Sequence, residues 1–143
     1  MATLRFVSWL FYVAGIYDGL LGLAFLLFPL ATFGWFEVPP PNHLGYVQFP
    51  AAILIVFGLM FVNVARRPVQ NRNLIPYGIL LKLCYSAVVI AYWFSQGLPN
   101  MWKPFAVLDA GFAVLFAWAY LALGAYSAIQ QPRTASAAVS GGP

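Results

Sequence analysis

The sequence predicts an all-α integral membrane protein, an antiparallel up-down bundle of four transmembrane helices, and three observations lead to it. Of 143 residues, 63% are hydrophobic and 7% charged, whereas soluble domains carry about a quarter charged residues. The apolar residues form four long runs, Phe6 to Phe28, Leu44 to Ala65, Leu74 to Phe94 and Phe105 to Ala125. Each is close to the roughly 20 residues a helix needs to cross about 30 Å of hydrocarbon. A spanning strand would need only about 9 to 11 residues of alternating pattern, so helices are preferred over a barrel. Finally, nearly all the basic residues lie outside the runs. The formal charge of +4 is then explained by membrane topology rather than by nucleic acid.

The first helix is expected at about 6–28. It is too long for the apolar part of a secretory signal, and Ala31-Thr32-Phe33 is a poor cleavage site, so the segment is read as retained. Trp9 belongs near one interface and Pro29 ends the helix at the other. Gly15, Asp18, Gly19 and Gly22 fall at i, i+3, i+4 and i+7, which sets a carboxylate on one face with three residues that let a neighbouring helix approach closely. From Leu30 to Phe36 the chain is too short to cross. Phe33, Trp35 and Phe36 suit a segment in the headgroup layer, and Pro39-Pro40-Pro41 makes a stiff exit.

The second helix, about 43–65, is expected to be capped by Asn42. Pro50 lies inside it, so the Tyr46 carbonyl loses its helical donor beside Gln48. Arg66-Arg67-Pro68 closes the helix. The third, about 74–95, follows Asn73 as a cap with Pro76 in its first turn. Gly78, Lys82, Tyr85, Ser86 and Val89 form one partly polar stripe along it. Gln96-Gly97-Leu98-Pro99 turns the chain into the fourth helix, about 104–126, where Ala106, Ala110, Ala113 and Ala117 make a small-residue ridge beside Asp109. These helices form one transmembrane domain, 1–130. Residues 131–143, rich in Ser, Ala and Gly, are expected to be a disordered tail.

Arg5, the Arg66, Arg67 and Arg72 group, and Arg133 all flank the same ends of the helices, whereas Pro29 to His43 has no Lys or Arg. The bias predicts both termini in the cytoplasm of a cell whose inner membrane holds the protein. A single cysteine, Cys84, excludes an internal disulfide.

Asp18, Lys82 and Asp109 are the ionisable groups inside apolar runs, and each is costly there, about 2.5 to 3.5 kcal/mol on insertion scales. At about 1.5 Å of rise per residue, Asp18 and Lys82 come to similar depths and are expected to pair. Asp109 is shallower, and is expected either to be wetted or to bond Gln48, Tyr46 or Tyr17. Two roles stay open: a pin between the first and third helices, or a path for protons or a ligand.

Glu37 and His43 on a proline-rich segment do not make a metal set. Cys84 and Ser86 near Lys82 lack the base and orienting group of an activated nucleophile, so no catalytic residue is assigned. Trp93, Trp102 and Trp118 fit an interfacial belt, and the sequence indicates no cofactor.

Gly19-Leu20-Leu21-Gly22-Leu23-Ala24-Phe25-Leu26-Leu27-Phe28-Pro29, followed after a polar turn by Ala51-Ala52-Ile53-Leu54-Ile55-Val56-Phe57-Gly58, resembles the small bacterial four-helix membrane proteins of the DoxX-like kind. The likeness covers the first half of the chain and implies an accessory membrane protein in a redox or respiratory setting. The expected function is therefore a non-catalytic accessory or assembly subunit of a larger membrane complex. Its expected partners are the lipid bilayer and other membrane subunits or further copies of itself. The alternative is a small proton-coupled transporter or ligand-binding membrane protein that uses the Asp18, Lys82 and Asp109 interior, with Tyr17, Gln48, Tyr85 and Ser86 as supporting polar groups. A quinone-linked redox component is the third class.

Overall fold

A computed structural model describes residues 2–140, with side chains described through Ile129. The tail expected over 131–143 lies outside the residues described to that level. Among the described residues the structure is helical, without strands: α1 Ala2–Leu27, α2 Pro29–Trp35, α3 Gly45–Arg66, α4 Ile75–Ser95 and α5 Trp102–Ser140, with a 3-10 turn at Arg72–Leu74 before α4. Four segments are long and apolar enough to cross a membrane, Ala2–Leu27, Gly45–Arg66, Arg72–Ser95 and Trp102–Ile129.

The break after α1 follows from Pro29, which has no N–H to continue the ladder. The Ala24 and Phe28 carbonyls keep backbone donors, the N–H groups of Phe28 and Thr32, and side chains add to the bonds at this end. The Thr32 hydroxyl donates to the Phe28 carbonyl at 2.9 Å and to that of Ala24 at 3.3 Å, and the Gln48 amide donates to the Leu26 carbonyl at 3.1 Å. The segment expected only to lie along an interface is thus a short helix, α2. Its C-terminus closes with Val38 N–H on the Phe33 carbonyl and Glu37 N–H on that of Gly34, both at 3.1 Å. This Schellman arrangement requires a left-handed residue between them. Glu37 takes that conformation, with φ +54°.

Two expected caps are corrected. Leu44, not Asn42, is the N-cap of α3, and Leu74, not Asn73, that of α4, neither with a side-chain capping bond. At α3 the His43 ring does part of that work, its Nδ1 accepting the Gly45 N–H at 3.1 Å. At α4, Asn73 lies within the 3-10 turn that leads into the helix.

α1 packs along α3. A β-carbon on Gly15 would lie 2.8 Å from the Gly58 carbonyl oxygen, and one on Gly22 would lie 2.6 Å from that of Ala51. Both separations are shorter than real β-carbons show, so glycine is what permits the backbones to meet. α4 packs along α5. Ser86 donates to the Ala106 carbonyl at 2.9 Å, and Arg72 Nε donates to that of Tyr120 at 2.8 Å while its guanidinium stacks 3.8 Å above the Tyr120 ring.

Two apolar clusters lie toward opposite ends. One is built on Phe11, Phe61 and Phe116, with Phe11 and Phe116 stacked at 4.4 Å. Here α3 meets α4, since a β-carbon on Gly78 would fall 2.5 Å from the Phe61 ring. The other gathers Phe25, Phe33, Ala51 and Met101, with Trp102 stacked on Phe25 at 5.7 Å.

Candidate functional site

Lys82 reaches from α4 to carboxylates on two other helices. Its Nζ donates to Asp18 Oδ1 of α1 at 2.5 Å and to Asp109 Oδ1 of α5 at 2.9 Å. Asp18 and Lys82 are fully inaccessible and Asp109 is 5% exposed. The rings of Tyr17, Phe112 and Phe61 stand 5.0, 5.5 and 6.0 Å from the ammonium, within range for cation–π attraction.

Asp109 is placed differently from the expectation that it would be wetted or bonded to Gln48, Tyr46 or Tyr17. α5 begins at Trp102, before Pro104, so Asp109 sits about 10 Å along the helix instead of 7 to 8 Å. The flexible four-carbon stem of Lys82 spans the remaining offset. Gln48 is drawn away to the Leu26 carbonyl. Tyr85 and Ser86 serve the α4–α5 seam, donating to the Trp102 carbonyl at 3.2 Å and the Ala106 carbonyl at 2.9 Å.

The glycine face of α1 packs on a different helix from the one that carries Lys82. Gly15 and Gly22 approach α3, not α4, and the direction a β-carbon on Gly19 would take is open. Along α5, Ala106 and Ala113 are buried, whereas Ala110 and Ala117 are half-buried.

A cavity of about 730 Å³ lies between the first half of α3 and the second half of α4, with Asp18 and Asp109 in its wall. Tyr46, Pro50 and Leu54 line it from α3, and Tyr85, Val88 and Tyr92 from α4. Its flank is open: Tyr46, Val88 and Tyr92 are 71%, 57% and 50% exposed. Further along the two helices, outside the cleft lining, Phe61 closes on Gly78. Two buried polar atoms in its wall residues, Tyr17 Oη and Asp18 Oδ2, have no hydrogen-bond partner among the described residues.

The cleft is the part of the site that sequence reasoning missed. Tyr46, Pro50 and Leu54 recur at helical spacing, as do Tyr85, Val88 and Tyr92, but a lipid-facing stripe has the same pattern. Only the divergence of α3 from α4 makes those stripes two walls. A deep apolar cleft with a few polar groups at its base is the usual form of a small-molecule site. Groups of His, Cys, Asp and Glu able to hold a metal ion do not occur among the described residues. Comparison with protein-family models, with curated proteins and with solved structures found no match.

Proposed function

We propose that the chain is an antiparallel four-helix membrane bundle that takes an apolar-chained ligand sideways from the bilayer into the α3–α4 cleft and holds its polar end at Asp18, Lys82 and Asp109. The carrying observation is that a mostly apolar cavity, open on the flank of the bundle, runs to buried carboxylates, one of which keeps an oxygen without a partner among the described residues. Ionisable groups at membrane depth are expensive and are retained where they line a path or a site. Opposite helix directions are supported by register: Gly15 meets Gly58 and Gly22 meets Ala51, while Ser86 meets Ala106 and Arg72 meets Tyr120. The arginines at one end support a topology with both termini on the cytoplasmic side of an inner membrane.

The test uses a neutral alkyl alcohol carrying a photoreactive diazirine, in bilayer nanodiscs. Adducts are expected to concentrate on Leu54 and Val88 relative to Val56 and Val114 on the outer faces of α3 and α5, and Leu54→Trp should remove them by filling the cleft. Equal labelling of cleft and outer faces would overturn the ligand site.

A second reading, the accessory or assembly subunit of a larger complex, is favoured by the three-way joint itself. Lys82 ties α1 to both α4 and α5, and a buried pairing of this kind acts as a registry device. On that reading Asp109→Asn should leave recovery of partner subunits unchanged in a native purification, while the photoprobe finds no preference for the cleft.

A further inference from the structure

The charges in the cleft wall carry an inference about the class of ligand. Resting on the cleft reading above, we infer that the site selects lipophilic cations, an alkylammonium above all, over neutral or anionic molecules of the same shape. Two carboxylates, Asp18 and Asp109, belong to the wall, and none of the described wall residues is Lys, Arg or His. The one cation at hand, Lys82, is fully buried behind them with both its ion pairs made. Counted as ions, the three groups sum to −1, and an uncompensated charge in a low-dielectric interior is expensive. An entering cation cancels it. An entering anion meets carboxylates before it can reach the ammonium.

The remaining groups fit the same class. Asp18 Oδ2 is a carboxylate oxygen, which accepts hydrogen bonds, and lacks a donor among the described residues. An ammonium N–H supplies one. Tyr17 Oη, also unpartnered, is a second polar contact beside it. Tyr46, Tyr85, Tyr92 and Trp102 in the wall present aromatic rings, to which a desolvated cation is attracted and an anion is not.

The experiment compares three diazirine probes of one alkyl chain in nanodiscs, bearing an ammonium, a hydroxyl or a sulfate head. Each is scored as labelling of Leu54 and Val88 divided by labelling of Val56 and Val114, which cancels differences in bilayer partition. The ammonium ratio should exceed the hydroxyl ratio by about tenfold, with the sulfate lowest. Asp18→Asn and Asp109→Asn should each bring the ammonium ratio down toward that of the hydroxyl. The hydroxyl probe, still labelling the cleft, reports that each variant is folded. Equal ammonium and hydroxyl ratios, as a bound proton neutralising the cluster would give, overturn the cation class and leave the cleft standing. A sulfate preference overturns it too, assigning control to Lys82. No probe favouring the cleft would sink the ligand site and the cation class together.

Discussion

Lys82 holds two carboxylates at once, so its loss is more damaging than the loss of either partner. With Lys82→Met, Asp18 and Asp109 remain buried without a cation. Removing one member of a buried pair typically costs about 3 to 5 kcal/mol. The expected outcome is a fall of that order in reversible unfolding by denaturing detergent. Combining Lys82→Met with Asp18→Asn should recover part of the loss, and strict additivity of the two changes would show that they do not interact. A smaller effect belongs to Gln48→Leu, which strips the Leu26 carbonyl of its donor at the α1 break. About 1 to 3 kcal/mol is expected in the same measurement. At this scale the sequence was readable where chemistry was rare: three ionisable residues in long apolar runs could hardly be missed. Which of them meet was harder, because a two-residue shift in the start of α5 moved Asp109 by about 3 Å. Thr32, buried at the same break, gave no signal at all, since a lone threonine between apolar residues is ordinary.

At the scale of elements, the α1–α3 seam depends on where glycine faces backbone. Gly22→Ala would drive a methyl onto the Ala51 carbonyl oxygen, and Gly15→Ala onto that of Gly58. Each should lower folded yield and unfolding midpoint sharply. Gly19→Ala points into open space and should be tolerated; equal damage from all three would contradict the seam as drawn. The four long apolar helices followed from run length, and the ends of α1 and α3 from Pro29 and Pro68, whereas α5 starts at Trp102, two residues before Pro104. The partner of the glycine face did not follow, because small residues announce a close approach without saying which helix makes it. α2 was also hidden, since seven residues between proline and a left-handed turn carry too little periodicity to separate a helix from an extended interfacial strip.

For the whole molecule, two helix pairs, α1 with α3 and α4 with α5, are joined between α1 and α5 by the Phe11–Phe116 and Phe25–Trp102 stacks and by Lys82 crossing between the pairs, while α3 meets α4 where Phe61 lies against Gly78. The cleft opens beyond those contacts. A transporter would need a proton to move at this junction. On that reading Asp109→Asn, which preserves shape and hydrogen bonding but cannot ionise, should abolish proton-coupled flux of an alkylammonium in proteoliposomes while the purified variant stays folded. Flux unchanged by the substitution would remove Asp109 from any such cycle. Sidedness is tested separately: reporter fusions at Val69 and Ile129 should both report the cytoplasm, and opposite reports would refute an even number of crossings between them.

The ion pairs of Lys82 also order events during synthesis. Asp18 is separated from Lys82 by 64 residues and Asp109 lies 27 beyond that. At about 5 to 20 residues per second, Asp18 is synthesised several seconds before its cation exists. α1 and α3 can form their glycine seam in that interval, but with a bare carboxylate on the hairpin's flank. On the membrane-bundle reading proposed above, the nascent chain would have to be held back from lipid until α4 arrives. A chain truncated after Val69 should be degraded rapidly in cells, and Asp18→Leu in the same truncation should lengthen its half-life.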